Sequence, residues 1–125
     1  MSTRRQTTPA LWVPERRDMI WIAFSPQVGQ EMRDEHPMLV LSSAAFNART
    51  GWVIGLPMTH ATSNESNPFA LKYISGDGLA GYVLTHQPKS FDWRLRGARP
   101  HPWQQVPETL FQEACSGLNQ IVQIG

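Results

Sequence analysis

The stretch Asp18-Met-Ile-Trp-Ile-Ala-Phe-Ser-Pro-Gln-Val-Gly-Gln-Glu-Met-Arg-Asp-Glu-His-Pro-Met-Leu-Val-Leu41 decides the fold. Its ends, Met19–Phe24 and Met38–Leu41, are apolar runs of β type. A polar loop of about a dozen residues separates them, long for adjacent strands unless the loop has work of its own. Met19–Phe24 alternates, which sends Trp21 to one face and Ile20 and Ile22 to the other. Met38–Leu41 is continuous, as expected of a strand buried on both faces. Working outward, Gly51–Pro57 reads as a third strand and Phe69–Ile74 as a fourth. The turn Gly76-Asp77-Gly78 leads to two more, Leu79–Thr85 and Lys89–Trp93. Short strands with regular punctuation point to a small barrel rather than a βαβ fold. After Pro107 the period changes: Leu110, Phe111, Ala114, Cys115, Leu118, Ile121 and Val122 recur at helical spacing. Thr109 can cap this helix, and Pro107 and Glu108 suit its start. Trp21, Phe24 and Trp52 are expected in the core, whereas Phe46, Trp93 and Trp103 are expected to be partly exposed.

Composition sets the outer limits. A chain of 125 residues is most simply one domain with a single modest core. Residues 1–10 read as a flexible, polar, basic segment and 11–125 as the domain. The formal net charge of +1 gives no global pull on nucleic acid, so any such binding needs a local patch. Bases cluster at Arg4, Arg5, Arg16 and Arg17, and again at Lys89, Arg94, Arg96 and Arg99, as a binding surface or a solvated face. No apolar run has the length of a membrane span and no signal-peptide core follows the first arginines, so a cytoplasmic protein is expected. Cys115 is alone, which excludes an internal disulfide, and it reads as a helix packing residue. His36, His60, His86 and His101 lack the paired spacing of zinc sites. There is no phosphate-binding glycine loop and no Gly-x-Ser-x-Gly elbow, so neither metal nor cofactor is expected.

The order of several short blocks resembles the MazF/PemK family of toxin ribonucleases. In that family a Trp-containing first strand leads into Phe-x-Pro-x-x-Gly-x-Glu, matched here by Phe24, Pro26, Gly29 and Glu31. An Arg-Pro pair then opens the second strand; here it is His36-Pro37. Ala45-Phe46-Asn47 is similar to a short helical segment, Pro57-Met58-Thr59 to the Pro-x-Thr that ends the third strand, and Asn67-Pro68-Phe69 to the entry of the next. The run from His86-Gln87-Pro88-Lys89-Ser90 to Trp93-Arg94-Leu95-Arg96-Gly97 resembles the family's Asp-Gln-x-Lys-Ser block and its Trp-Arg-x-Arg-Gly continuation.

The resemblance implies a mainly β, SH3-like barrel of the kind shared with gyrase-poisoning toxins, with a C-terminal helix and a short helical segment. It also implies a homodimer, a cognate antitoxin, and metal-independent cleavage of single-stranded RNA through the 2′-hydroxyl. Such cleavage needs a base for the 2′ proton, an acid for the departing 5′ oxygen, and donors for the phosphorane. By position, Thr59 is the hydroxyl donor and His36 replaces the family's Arg. His86 stands where some members use Asp, and Leu84 where some use Arg. Imidazole titrates near neutrality whereas Arg does not, so His36 and His86 are candidates for an acid–base pair. Glu31, Arg33, Asn47, Gln87, Lys89, Arg94 and Arg96 are the candidates for holding RNA. Two other readings remain open at this point: a weakened or inactive member that binds antitoxin or nucleic acid, and a gyrase-poisoning toxin.

Overall fold

The computed structural model describes residues 11–25 and 34–123. The candidates Glu31 and Arg33, with Pro26 and Gly29, lie outside them. Seven strands and two helices follow in order: β1 (Asp18–Ala23), β2 (Glu35–Val40), α1 (Ala44–Thr50), β3 (Trp52–Thr59), β4 (Ala70–Ile74), β5 (Ala80–Leu84), β6 (Lys89–Asp92), β7 (Arg99–Gln105) and α2 (Glu108–Ile121). A short 3₁₀ turn, Thr62–Ser66, joins β3 to β4.

The strands form one curled antiparallel sheet in the order β4-β5-β3-β2-β1-β7. β3 is its axis. One edge of β3 pairs with β2, while the other pairs first with β6, from Trp52 to Gly55, and then with β5 at Met58 and Thr59. Gly55 sits where these partners change, and a Cβ there would lie 2.4 Å from the Leu39 carbonyl oxygen, so only glycine fits.

Alternation sorts the apolar residues of each strand between two cores. Ile20, Ile22, Met38, Val40 and Val53 meet Phe91, Trp93 and Ala98 on one face. Met19, Leu39, Leu56, Met58 and Val83 meet Leu110, Ala114 and Leu118 of α2 on the other. The α2 positions are spaced by four, which gives the helix one apolar stripe. Pro107 occupies its N-cap with no side-chain bond, so Thr109 is not the cap. Ser43 caps α1 by accepting the Phe46 N–H, and Gly51, at φ 79°, ends that helix in the left-handed conformation.

Two differences from the sequence reading matter. β7 was not anticipated, because Pro100 and Pro102 within Arg-Pro-His-Pro-Trp-Gln-Gln argue against a strand. It is tolerated because β7 is the outermost strand, bonded only to β1. Trp52 and Trp93 also exchange their expected places. Trp52 is 46% exposed, on the outward face of β3, while Trp93 is 6% exposed. The Trp93 indole N–H donates to the Asn47 carbonyl at 2.8 Å, which satisfies its polar atom inside the core.

Candidate active site

A cleft of about 490 Å³ opens where β1, β2, β3 and β7 meet the turn after β4. Its apolar lining is Met19, Trp21, Pro37, Met58, Tyr73, Pro102 and Trp103. Its polar lining includes Glu35, His36, Thr59, His60, Asp77 and His101.

The register of β2 on β3 explains how His36 and Thr59 come together. Met38 pairs with Pro57 and Leu39 with Leu56. The strands run antiparallel, so His36 near the start of β2 and Thr59 at the end of β3 lie toward the same end of the pair, and both line the cleft.

Hydrogen bonds fix most of the polar groups. His36 Nε2 lies 2.7 Å from Asp34 Oδ1, and Ser25 Oγ donates to Asp34 Oδ2 at 2.9 Å. The Ser25 bond first, then the His36 bond, hold the Asp34 carboxyl below its ordinary range. Asp34 therefore accepts from Nε2–H, leaving His36 Nδ1 for other partners. His60 Nδ1 lies 2.7 Å from the Ala80 carbonyl oxygen, which can only accept; Nδ1 carries the proton and Nε2 is left bare in the neutral ring. His101 is the reverse: its Nδ1 accepts the Trp103 N–H at 3.0 Å. Burial, then Arg99, pushes the His101 imidazole below its usual value, which disfavours its charged form. Its ring lies against Trp21 with centroids 4.8 Å apart, and Tyr73 stacks on Trp103 at 5.7 Å. Glu35 is taken by Arg99, 2.7 Å away.

A sequence model of the PemK-like, MazF-like toxins of type II toxin–antitoxin systems matches residues 15–122. The chain belongs to this family. It is 38% identical over 87 residues to the endoribonuclease toxin MazF of Escherichia coli strain K12, covering 70% of this chain and 76% of that one. It is 27% identical over 110 residues to the E. coli endoribonuclease PemK, covering 86% and 81%. Among solved structures, MazF of Deinococcus radiodurans superposes with a TM-score of 0.75 at 31% identity, covering 90% of this chain and 99% of that one. The MazE–MazF complex from the same organism gives 0.75 at 27% identity, covering 91% and 99%.

Within this MazF-like fold the remaining candidates scatter. His86 does not line the cleft: β5 runs from Ala80, beside His60, to Leu84, about 13 Å at the usual strand rise, and His86 follows in the turn beyond. There its ring lies 5.9 Å from Phe69, and Gln87 is bonded to it at 3.1 Å. Within one protomer His86 is thus not among the residues that line the cleft with His36 and Thr59. Asn47 is 0% exposed and cannot reach RNA. Its amide donates to the carbonyls of Pro14 (2.8 Å) and Ser42 (3.2 Å), and its oxygen accepts from Ser42 Oγ (2.6 Å). Arg96 donates to the carbonyls of Ala23 and Phe24 and lies over the Phe91 ring. Arg94 lies over Trp93 and donates to the Ala48 carbonyl. Lys89, half-buried, pairs with Gly55 at the start of β6. Sequence reasoning missed His60 and His101 as cleft residues. The first stands next to Thr59; the second was hidden with the unrecognised β7.

Among the described residues, no group of three His, Cys, Asp or Glu could hold a metal ion, and no helix is long and apolar enough to cross a membrane.

Proposed function

We propose that this chain is the toxin of a type II toxin–antitoxin pair. In this reading it is a cytoplasmic homodimer that cleaves single-stranded RNA by metal-independent transphosphorylation. The convergence of His36 and Thr59 on one cleft supports the reading, because these are the positions the family uses at the reacting phosphate. The 2′-oxygen attacks phosphorus, the bond to the 5′ oxygen breaks, and a cyclic phosphate remains on one product. The Thr59 hydroxyl donates to a phosphate oxygen, and His36 acts through Nδ1 while Asp34 holds Nε2. The MazE–MazF complexes among similar structures support a cognate antitoxin as partner.

Replacement of the family's Arg by His36 favours a second reading, a member that binds its partners but does not cut. One experiment separates the two. Purified protein is incubated with a long single-stranded RNA in EDTA, and the product ends are analysed. Discrete fragments with cyclic-phosphate or 3′-phosphate ends support the ribonuclease. Intact RNA, from folded protein that still binds it, moves the assignment to the binding module.

A further inference from the structure

Transphosphorylation needs two proton carriers on opposite sides of phosphorus, because the attacking and leaving oxygens lie roughly in line. His86 does not line the cleft, so His36 lacks the partner expected from the sequence. Three imidazoles do line it: His36, His60 and His101.

The geometry points to His60 as the general base of this chain, an inference that rests on the ribonuclease reading above. His60 follows Thr59, the last residue of β3, and both line the cleft. His36, near the start of the antiparallel neighbour β2, lines it too. Both imidazoles thus open onto the cleft in which a phosphate would meet Thr59.

Hydrogen bonds divide the work. The Ala80 carbonyl holds the Nδ1 proton of His60, so in the neutral ring Nε2 carries the lone pair, and the residue lines the cleft. That nitrogen takes the proton from the 2′-hydroxyl as the 2′-oxygen bonds to phosphorus. Asp34 gives the His36 imidazolium a counter-charge at Nε2, and Nδ1–H delivers its proton to the departing 5′ oxygen as the phosphorus–oxygen bond breaks. His101 serves neither step: its Nδ1 is committed to the Trp103 N–H and its ring is packed on Trp21. The groups facing His60 across the cleft are Glu35 and His36 from β2, Tyr73 from β4, Asp77 from the turn after it, and His101 from β7. Of these, Glu35 is paired with Arg99, so among the described residues lining the cleft Asp77 is the remaining carboxylate.

The test uses two RNA substrates, one ordinary and one with sulfur replacing the 5′-bridging oxygen at the cut. The sulfur leaves without protonation and so removes the need for an acid. His60→Asn retains an amide donor near the Nδ1 position for the Ala80 carbonyl; His60→Gln serves as a second variant, and thermal melts confirm folding. Loss of the base is expected to slow cleavage about 100-fold or more. The acidic limb of the pH–rate profile should disappear, and the sulfur substrate should give no rescue. His36→Gln should lose the basic limb instead and be rescued by sulfur. Parental rate and profile in both His60 variants would overturn the assignment while leaving the ribonuclease intact. Rescue of the His60 variants by sulfur would overturn it too, since that is the signature of an acid. No cleavage of either substrate by the unaltered protein would overturn the ribonuclease reading itself, and His60's role with it.

Discussion

Asn47→Ala separates packing from RNA contact at the residue where the two readings differ most. The side chain is fully buried and ties three segments: it donates to Pro14 and Ser42 and accepts from the Ser42 hydroxyl. Truncation leaves the Pro14 and Ser42 carbonyls without that donor, and each stranded buried group costs about 1–3 kcal/mol. Ser42 Oγ loses less, because it still accepts the Ile54 N–H at 2.9 Å. The expected loss is about 3 kcal/mol, or a Tm lower by roughly 10 °C for a domain of this size. Urea unfolding at fixed protein concentration measures it, since a dimer would make stability depend on concentration. Cleavage of RNA at a temperature where both proteins are folded provides the second readout, with KM expected to be unchanged. A stability loss under 0.5 kcal/mol, or a raised KM with stability intact, would refute the structural role (the threshold is the ordinary scatter of surface substitutions, about 0.5 kcal/mol).

Three further outcomes follow from the same structure. Gly81→Ala puts a Cβ 2.4 Å from the Tyr73 ring, so it should destabilise by about 1–3 kcal/mol and disturb the Tyr73–Trp103 wall of the cleft; an unchanged melting curve would show that Tyr73 yields freely. Burial lifts the Tyr73 phenol to about 12, so tyrosinate absorbance should appear late in an alkaline titration. Because the folded value exceeds the unfolded one, that group's contribution to stability is complete below pH 10 and is lost as pH rises from about 10 to 12; stability rising across that window would contradict it. Ser25→Ala removes the strongest influence holding Asp34 down, so the carboxyl midpoint, followed by NMR, should move up toward the ordinary value near 3.8. Asp34's contribution to stability is present above the unfolded value and fades as pH falls through the folded one, so the variant should lose it at a higher pH.

Strands β1 to β6 were legible because their apolar residues alternate or run continuously between turn residues. The C-terminal helix was legible through its spacing by three and four. β7 was not, since two prolines disguise a strand that survives only at a sheet edge. That omission carried over to the site. His101 and Trp103 ride on β7, so one wall of the cleft had no signal in the sequence. Thr59 and His36 were found through family blocks, whereas His60 needed the folded cleft and its bond to Ala80 to place it. The arginines and Asn47 misled for a different reason. Sequence shows a charge or an amide but not the carbonyl it is tied to, and Asn47, Arg94 and Arg96 each hold backbone carbonyls.

Those tethered arginines bear on how salt would act on RNA held here. Arg99 faces Glu35 at 2.7 Å, so a phosphate arriving nearby displaces few condensed counterions on its account. Arg94 and Arg96 keep their charge, but each is fixed over an aromatic ring and a carbonyl. They cannot follow a passing phosphate, and they pay little rotamer entropy when one comes to rest in register. Affinity built on such fixed cations depends strongly on the shape of the strand being held. A toxin so equipped would discriminate by fit along a short stretch of RNA, and would gather little nucleic acid by charge alone.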